Sequence, residues 1–238
     1  MTLKLFSLQT PVLEDLRQDE YPILLRTWRG EPLPLNDAGT HFGFVFQGQA
    51  YLQRGESSPD CRYPLQAGMF FGLPGSGTLS GENSSGLVIT CLYHRGLFSL
   101  GGPIEAAGRL AYINGGTNSV LIAPPMLGDP CLHGMYLPPN IQQTLHTHPS
   151  YRIGIVVEGS GNVETPQAVT ALQPGDSFLI TANEVHRFCT GNDGLTAVMF
   201  HPDSDVGFTH RDNPMLRRTL VDGVSAVYLP QIHSPTAE

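Results

Sequence analysis

Three histidines hold the metal-binding chemistry within reach of this sequence. His146 and His148 flank a single residue, Thr147, and His186 lies farther along the chain. On an extended strand, residues i and i+2 face the same side, so the spacing predicts that the first two imidazoles point to one face. His186 follows a turn after an apolar segment at 176–180. That segment can pair beside the strand that starts near Gly154 and bring the third imidazole to the first two. Converging imidazoles suit Fe, Mn, Ni, Cu or Zn to different degrees. The expected activity is therefore metal-assisted chemistry on a small molecule. Gln143 and Tyr136 precede the pair and are candidate pocket residues. Arg152 shares the parity of 146 and 148.

The elements that must position these residues read as strands. Segments 22–28, 42–52, 86–93, 120–123, 154–163 and 196–201 are rich in β-branched, aromatic and aliphatic residues, and Gly, Pro, Asn and Asp bound them. Short strands with frequent turn signals point to an all-β sandwich or barrel. The 27 glycines and 20 prolines exceed average usage, as many turns require. Helical patterns are few. One or two turns are expected at 12–17 and another at 213–218, with Asn213 as cap and Pro214 at the first helical position. The first ten residues read as a strand rather than a signal peptide.

The chain also repeats itself. Phe42-Gly43-Phe44-Val45-Phe46-Gln47-Gly48 matches Ile153-Gly154-Ile155-Val156-Val157-Glu158-Gly159. Leu65-Gln66-Ala67-Gly68 matches Leu172-Gln173-Pro174-Gly175, and Gly86-Leu87 matches Gly194-Leu195. Three matches in one order at nearly one offset indicate a duplicated β-domain, with units expected at 1–105 and 106–238.

Composition narrows the function classes. A formal net charge of −8 at pH 7 and no Lys/Arg cluster argue against nucleic acid and anionic membranes as partners, since phosphates must be neutralised by cations. No apolar run approaches the roughly 18 residues of a spanning helix. Cys61, Cys91, Cys131 and Cys189 form no CxxC pair and read as buried or half-buried thiols of a reducing, cytoplasmic setting.

The histidines and their flanks resemble the motifs of the cupin superfamily. The first motif, G-x5-HxH-x3-E-x6-G, is met by Asn140, His146, His148, Arg152 and Gly159. The second, G-x5-P-x-G-x2-H-x3-N, is met by Gly175, Thr181, Asn183, His186 and Thr190. Spacing is kept throughout, while the carboxylate ligand, the proline and three other positions depart. The resemblance implies two tandem jelly-roll β-barrels, a bicupin, with a metal and substrate inside the C-terminal one. It implies a three-histidine site like that of some cupin dioxygenases, with Fe(II) as the metal and Mn, Ni or Zn as alternatives.

Arg152 stands where the motif has its carboxylate, and a guanidinium cannot ligate a metal. It is expected either to bind an anionic substrate, since its fork fits carboxylates, or to turn to an internal carboxylate such as Glu184. In the N-terminal half, Leu35, Asp37 and His41 occupy the positions of His146, His148 and Arg152, and Leu79 replaces the last histidine. His41 there reads as a hydrogen-bonded core residue, and the half as packing and dimerisation. His133 and His201 read as structural, His210 and His233 as solvated, Cys189 as packing, Tyr151 as outward-facing, and Asp203 and Asp205 as loop acids.

Two classes of function follow. One is a metal-dependent dioxygenase acting on a small acidic or enolic molecule, with Arg152 holding an anionic group and Gln143 and Tyr136 lining the pocket. The other is a sugar- or acid-binding sensor, or a non-redox isomerase using Zn, Ni or Mn. The chain is expected as a monomer or, because unpaired sheet edges invite pairing, a homodimer.

Overall fold

The computed structural model describes residues 3–8, 13–36, 39–55, 61–209 and 212–233. Strands dominate their regular secondary structure, joined by turns and loops. The largest sheet runs Leu3–Ser7, Asp176–Ile180, Arg152–Glu164, Arg187–His201, Cys131–Leu137, Thr117–Ile122 and Leu110–Ala111, with Val169–Leu172 also paired to Arg152–Glu164. A second sheet runs Ser99–Gly101, Phe70–Pro74, Thr40–Gln47, Ser85–Cys91, Ile23–Arg29 and Leu13–Leu16. A third runs Leu33–Leu35, Gly77–Ser80, Gln49–Arg54 and Arg62–Gln66. The all-β expectation holds. No helix among the described residues is long and apolar enough to cross a membrane.

Two local expectations met different fates. The five-residue helix Pro214–Arg218 begins at Pro214, and the Asn213 side chain accepts from the Met215 amide. The expected turns at 12–17 are instead the strand Leu13–Leu16, which pairs antiparallel with Ile23–Arg29. A strand edge satisfies backbone groups that one or two isolated helical turns leave open.

The sequence repeat coincides with repeated pairing. His41 faces Leu73 across the ladder, and Arg152 faces Ile180 in the corresponding ladder. Phe71 covers Gly43, and Phe178 covers Gly154 in the same manner. The first strand departs from the expected grouping. Leu3–Ser7 pairs with Asp176–Ile180, completing an edge of the large sheet rather than joining the strands of the N-terminal half.

Strand alternation divides the apolar side chains among three cores. Val156, Phe178, Ile180, Phe188, Ala197 and Met199 pack on the inner side of the C-terminal sheet. Trp28, Val45, Leu52, Phe71 and Leu79 pack inside the N-terminal strands. Ile153, Ile155, Val198 and Phe200 take the opposite parity and pack on Phe42, Phe44, Leu25 and Ile89, joining the two halves. Tyr151 therefore faces away from the inner cavity as expected, yet it is buried, donating its hydroxyl to the Tyr21 carbonyl at 2.7 Å.

The glycines under the two phenyl rings give a direct test. A Cβ on Gly154 would lie 2.3 Å from the Phe178 ring and 2.6 Å from Met199 Sδ. Overpacking of this kind costs about 1–3 kcal/mol. Gly154→Ala is therefore expected to lower the urea midpoint clearly. Gly191→Ala, with nothing within 4 Å of its would-be Cβ, should shift stability by no more than about 0.5 kcal/mol.

Candidate metal centre

His146 and His148 lie on an irregular extended stretch, not on the regular strand anticipated. This stretch runs beside Arg187–His201, tied at Asn140 to Gly191, at Gln143 to Phe188, and reciprocally at His146 to His186. Those last bonds are 3.0 and 2.9 Å, so the two histidines form an isolated bridge. Asn140, where the motif has glycine, has φ 58°. Asn183, at the second motif's departed glycine, has φ 60°. Asparagine is among the few residues enriched in this left-handed region, so both turns keep their shape without glycine. Thr190, in place of the motif's asparagine, accepts from the Ile141 amide at 3.0 Å and donates to the Pro138 carbonyl at 2.7 Å.

The three rings converge. Centroids lie 5.1 Å apart for His146 and His148, 4.6 Å for His146 and His186, and 5.3 Å for His148 and His186. One candidate ligand atom from each lies within 4.8 Å of the others. His146 Nδ1 is 2.8 Å from the Thr144 carbonyl, and His186 Nδ1 is 2.8 Å from the Glu184 carbonyl. A carbonyl only accepts, so each Nδ1 carries the hydrogen and each Nε2 keeps its lone pair. This is the arrangement by which a second hydrogen bond fixes a metal-ligating tautomer. Burial, aided by the Arg152 charge, holds His148 down to about 3, and burial holds His186 at about 4. Both are neutral near pH 7, as ligation requires. The donor set therefore fits a divalent transition metal.

The cavity around these rings has about 50 Å³ of free room. A water needs roughly 10–15 Å³ on the same scale, so a cation with a few waters or a small molecule fits. Gln143, Tyr112 and Asn118 supply polar lining, and Met135, Phe188 and Met199 supply the apolar walls. Gln143 is buried. Its Oε1 accepts from the Phe188 amide at 3.2 Å, while its Nε2 has no partner among the described residues. Tyr136 is not brought here. Met135 takes the inward parity, and Tyr136 lies against Gly134 and lines a separate cleft with Pro138 and Pro139.

Arg152 lines the cavity and is only 3% exposed. Its carboxylate partner is Asp203, at 3.3 Å, and not Glu184. Nη1 also donates to the Tyr151 carbonyl at 3.1 Å and to Ser150 Oγ, which in turn donates to Asp203. Asp203 is thus no loose loop acid. A buried guanidinium needs a counter-charge, and the loop after His201 delivers one. Nε of Arg152 keeps no partner among the described residues.

Two further histidines belong to this cavity against expectation. His133 and His201 both line it, and His148 and His201 have centroids 6.4 Å apart. Their signal in the sequence was the Cys131-Leu132-His133 alternation. Its meaning depended on the pairing of Cys131 with His201, which no spacing reveals. In the N-terminal half, His41 is buried with Nδ1 2.8 Å from Thr90 Oγ1 and Nε2 2.7 Å from the Asn36 carbonyl, so both ring nitrogens are engaged. Asp37 and His210 lie outside the described residues. His233 Nε2 is 2.8 Å from the Ala226 carbonyl.

Among known families, residues 134–201 match the one described as Cupin domain. No curated protein sequence matches the chain. Solved structures share its fold. A cupin 2 conserved barrel domain protein from Leptotrichia buccalis is 15% identical with a TM-score of 0.58, covering 84% of this chain and 89% of its own. The 11S allergen of Cocos nucifera is 13% identical with a TM-score of 0.57, covering 85% and 90%. A mutant of salicylate 1,2-dioxygenase from Pseudoaminobacter salicylatoxidans is 11% identical with a TM-score of 0.58, covering 76% and 71%. A fold that hosts both an allergen and a dioxygenase does not choose between them.

Two measurements test this electrostatic arrangement. His148 has its folded pKa lowered from 6.5 to about 3, so the unfolded state binds the proton first. The metal-free protein should hold full stability above pH 6.5 and lose it progressively as pH falls toward 3. His148→Gln should flatten that slope in a series of urea melts. Asp203→Asn leaves Arg152 without its carboxylate. It should cost about 2–3 kcal/mol and weaken divalent-metal binding by calorimetry, because the guanidinium charge is no longer offset.

Proposed function

We propose that this protein is a metal-dependent oxygenase of dioxygenase type, acting on a small acidic or enolic molecule, within a chain of two tandem cupin units that divide near residue 105, with Leu3–Ser7 completing the sheet of the second. The observation that carries this reading is the pair of Nδ1–H bonds on His146 and His186, which leave both Nε2 lone pairs available beside His148. Fe(II), if held by His146, His148 and His186, would supply the capacity to activate O2 toward a bound small molecule.

The chain's own residues do the rest. Met135, Phe188 and Met199 keep bulk water from the centre. Gln143 offers an unpartnered amide donor to a substrate oxygen. Arg152, already paired with Asp203, contributes its remaining Nε donor and orients an anionic group rather than neutralising it outright. Because no ligand is a carboxylate, a divalent cation here would keep its full charge and favour anionic ligands.

The same neutral donor set suits Zn, Ni or Mn. A site loaded with one of these, acting as a sensor or a non-redox isomerase, is the second reading. Elemental analysis beside His146→Ala/His148→Ala separates them. Near-stoichiometric iron that is lost in the variant, with oxygen uptake on a panel of small acids and enols, is the expected result. Iron bound without uptake across the panel would sink the oxygenase reading. Zinc or nickel lost in the variant would support the second.

A further inference from the structure

Two neighbouring strands bring another ligand set to the same cavity. Cys131 and His133 share a face of Cys131–Leu137, being two residues apart on a strand. Cys131 stands directly opposite His201 in the ladder with Arg187–His201. Directly opposed residues of an antiparallel pair project to one face, so all three side chains are forced together by register alone. Cys131 Sγ is 3.0 Å from His133 Nε2, and the His133 and His201 centroids are 4.7 Å apart. One candidate ligand atom from each residue lies within 4.8 Å of the others.

The second observation is an unmet one. His133 is 9% exposed, and its Nδ1 is buried without a partner among the described residues. If Nε2 accepts from the thiol, Nδ1 carries a hydrogen with no acceptor. If Nε2 donates to the sulfur, Nδ1 is an empty acceptor. Either way a buried polar atom goes unmatched, and such atoms mark missing ions or waters.

We propose that Cys131, His133 and His201 form a second metal site, selective for a soft or borderline cation such as Cu(I) or Zn(II), adjoining the three-histidine centre. One sulfur and two imidazoles are the donor set that such cations prefer. An ion can enter through the shared cavity, since His133 and His201 both line it. Burial pushes the Cys131 thiol up to about 11, so the empty site is uncharged at neutral pH. Binding replaces the S–H bond with a metal–sulfur bond and releases one proton to solvent. Sulfur ligation separates this site from its neighbour, where sulfur is absent from the ligand set.

That difference supplies the test. The full-length protein, stripped of metal, is titrated anaerobically with Co(II) and followed in the near ultraviolet for sulfur-to-cobalt charge transfer. The expected result is a strong band in the wild type and in His146→Ala/His148→Ala, and its loss in Cys131→Ser and His201→Gln. Cobalt that binds Cys131→Ser without the band reports the first site by itself, so failure of either site is seen separately. Absence of the band in the wild type at saturating cobalt overturns the proposal. So does a band that survives in Cys131→Ser or His201→Gln when circular dichroism shows that variant to be folded. If both variants fail to fold, His133→Gln takes their place: loss of the band is expected, and a band that survives in the folded variant overturns the proposal.

Discussion

The register that locks Arg187–His201 between Arg152–Glu164 and Cys131–Leu137 is the constraint on which the rest depends. Side chains alternate along a strand, so a slip of one residue would exchange every inward group for an outward one. As paired, 131, 133, 135, 152, 154, 199 and 201 turn inward around the cavity. Leu132, Ile153, Ile155, Val198 and Phe200 turn outward and pack on the N-terminal strands. The apolar contact between the halves therefore holds the register that arranges the polar site. Burying five such side chains contributes on the order of 1.5–3 kcal/mol each. The site inherits its rigidity from packing on the far side of the same sheet.

Charge inside this cavity is arranged with one cation and many neutral groups. Arg152 lies close enough to His133, His148, His186 and His201 to disfavour their protonation, acting in the same direction as burial. A cation beside a metal site would ordinarily repel the metal. Asp203 offsets it, through a direct contact and through Ser150. The guanidinium thus helps to keep these four imidazoles neutral, while its own charge is balanced from the loop beyond His201.

The two halves show what the same frame does without this chemistry. His41 takes the position of Arg152, and it bonds to Thr90, which lies beside it in the ladder with Ser85–Cys91. Both ring nitrogens are satisfied locally, and Leu35 and Leu79 fill the space where imidazoles stand in the other half. The frame survives because Phe71 on Gly43 and Phe178 on Gly154 solve the same packing problem. Here the frame recurs in both halves while the three histidines stand in only one of them.

Much of this was legible in the residues themselves. Alternating apolar strands, turn residues and the internal repeat identified an all-β chain, and HxH spacing with a distant third histidine pointed to the candidate centre. Asn140 and Asn183 looked like departures from the motif. Their positive φ shows that what the motif demands is a left-handed turn, which asparagine also supplies. What the residues could not disclose was pairing between distant segments. Leu3–Ser7 joins the far sheet, Asp203 meets Arg152, Tyr136 faces away, and Cys131 meets His201. Local pattern reports which side of a strand a residue takes. Which strand lies opposite is decided by burial of the whole chain, and only tertiary structure contains that information.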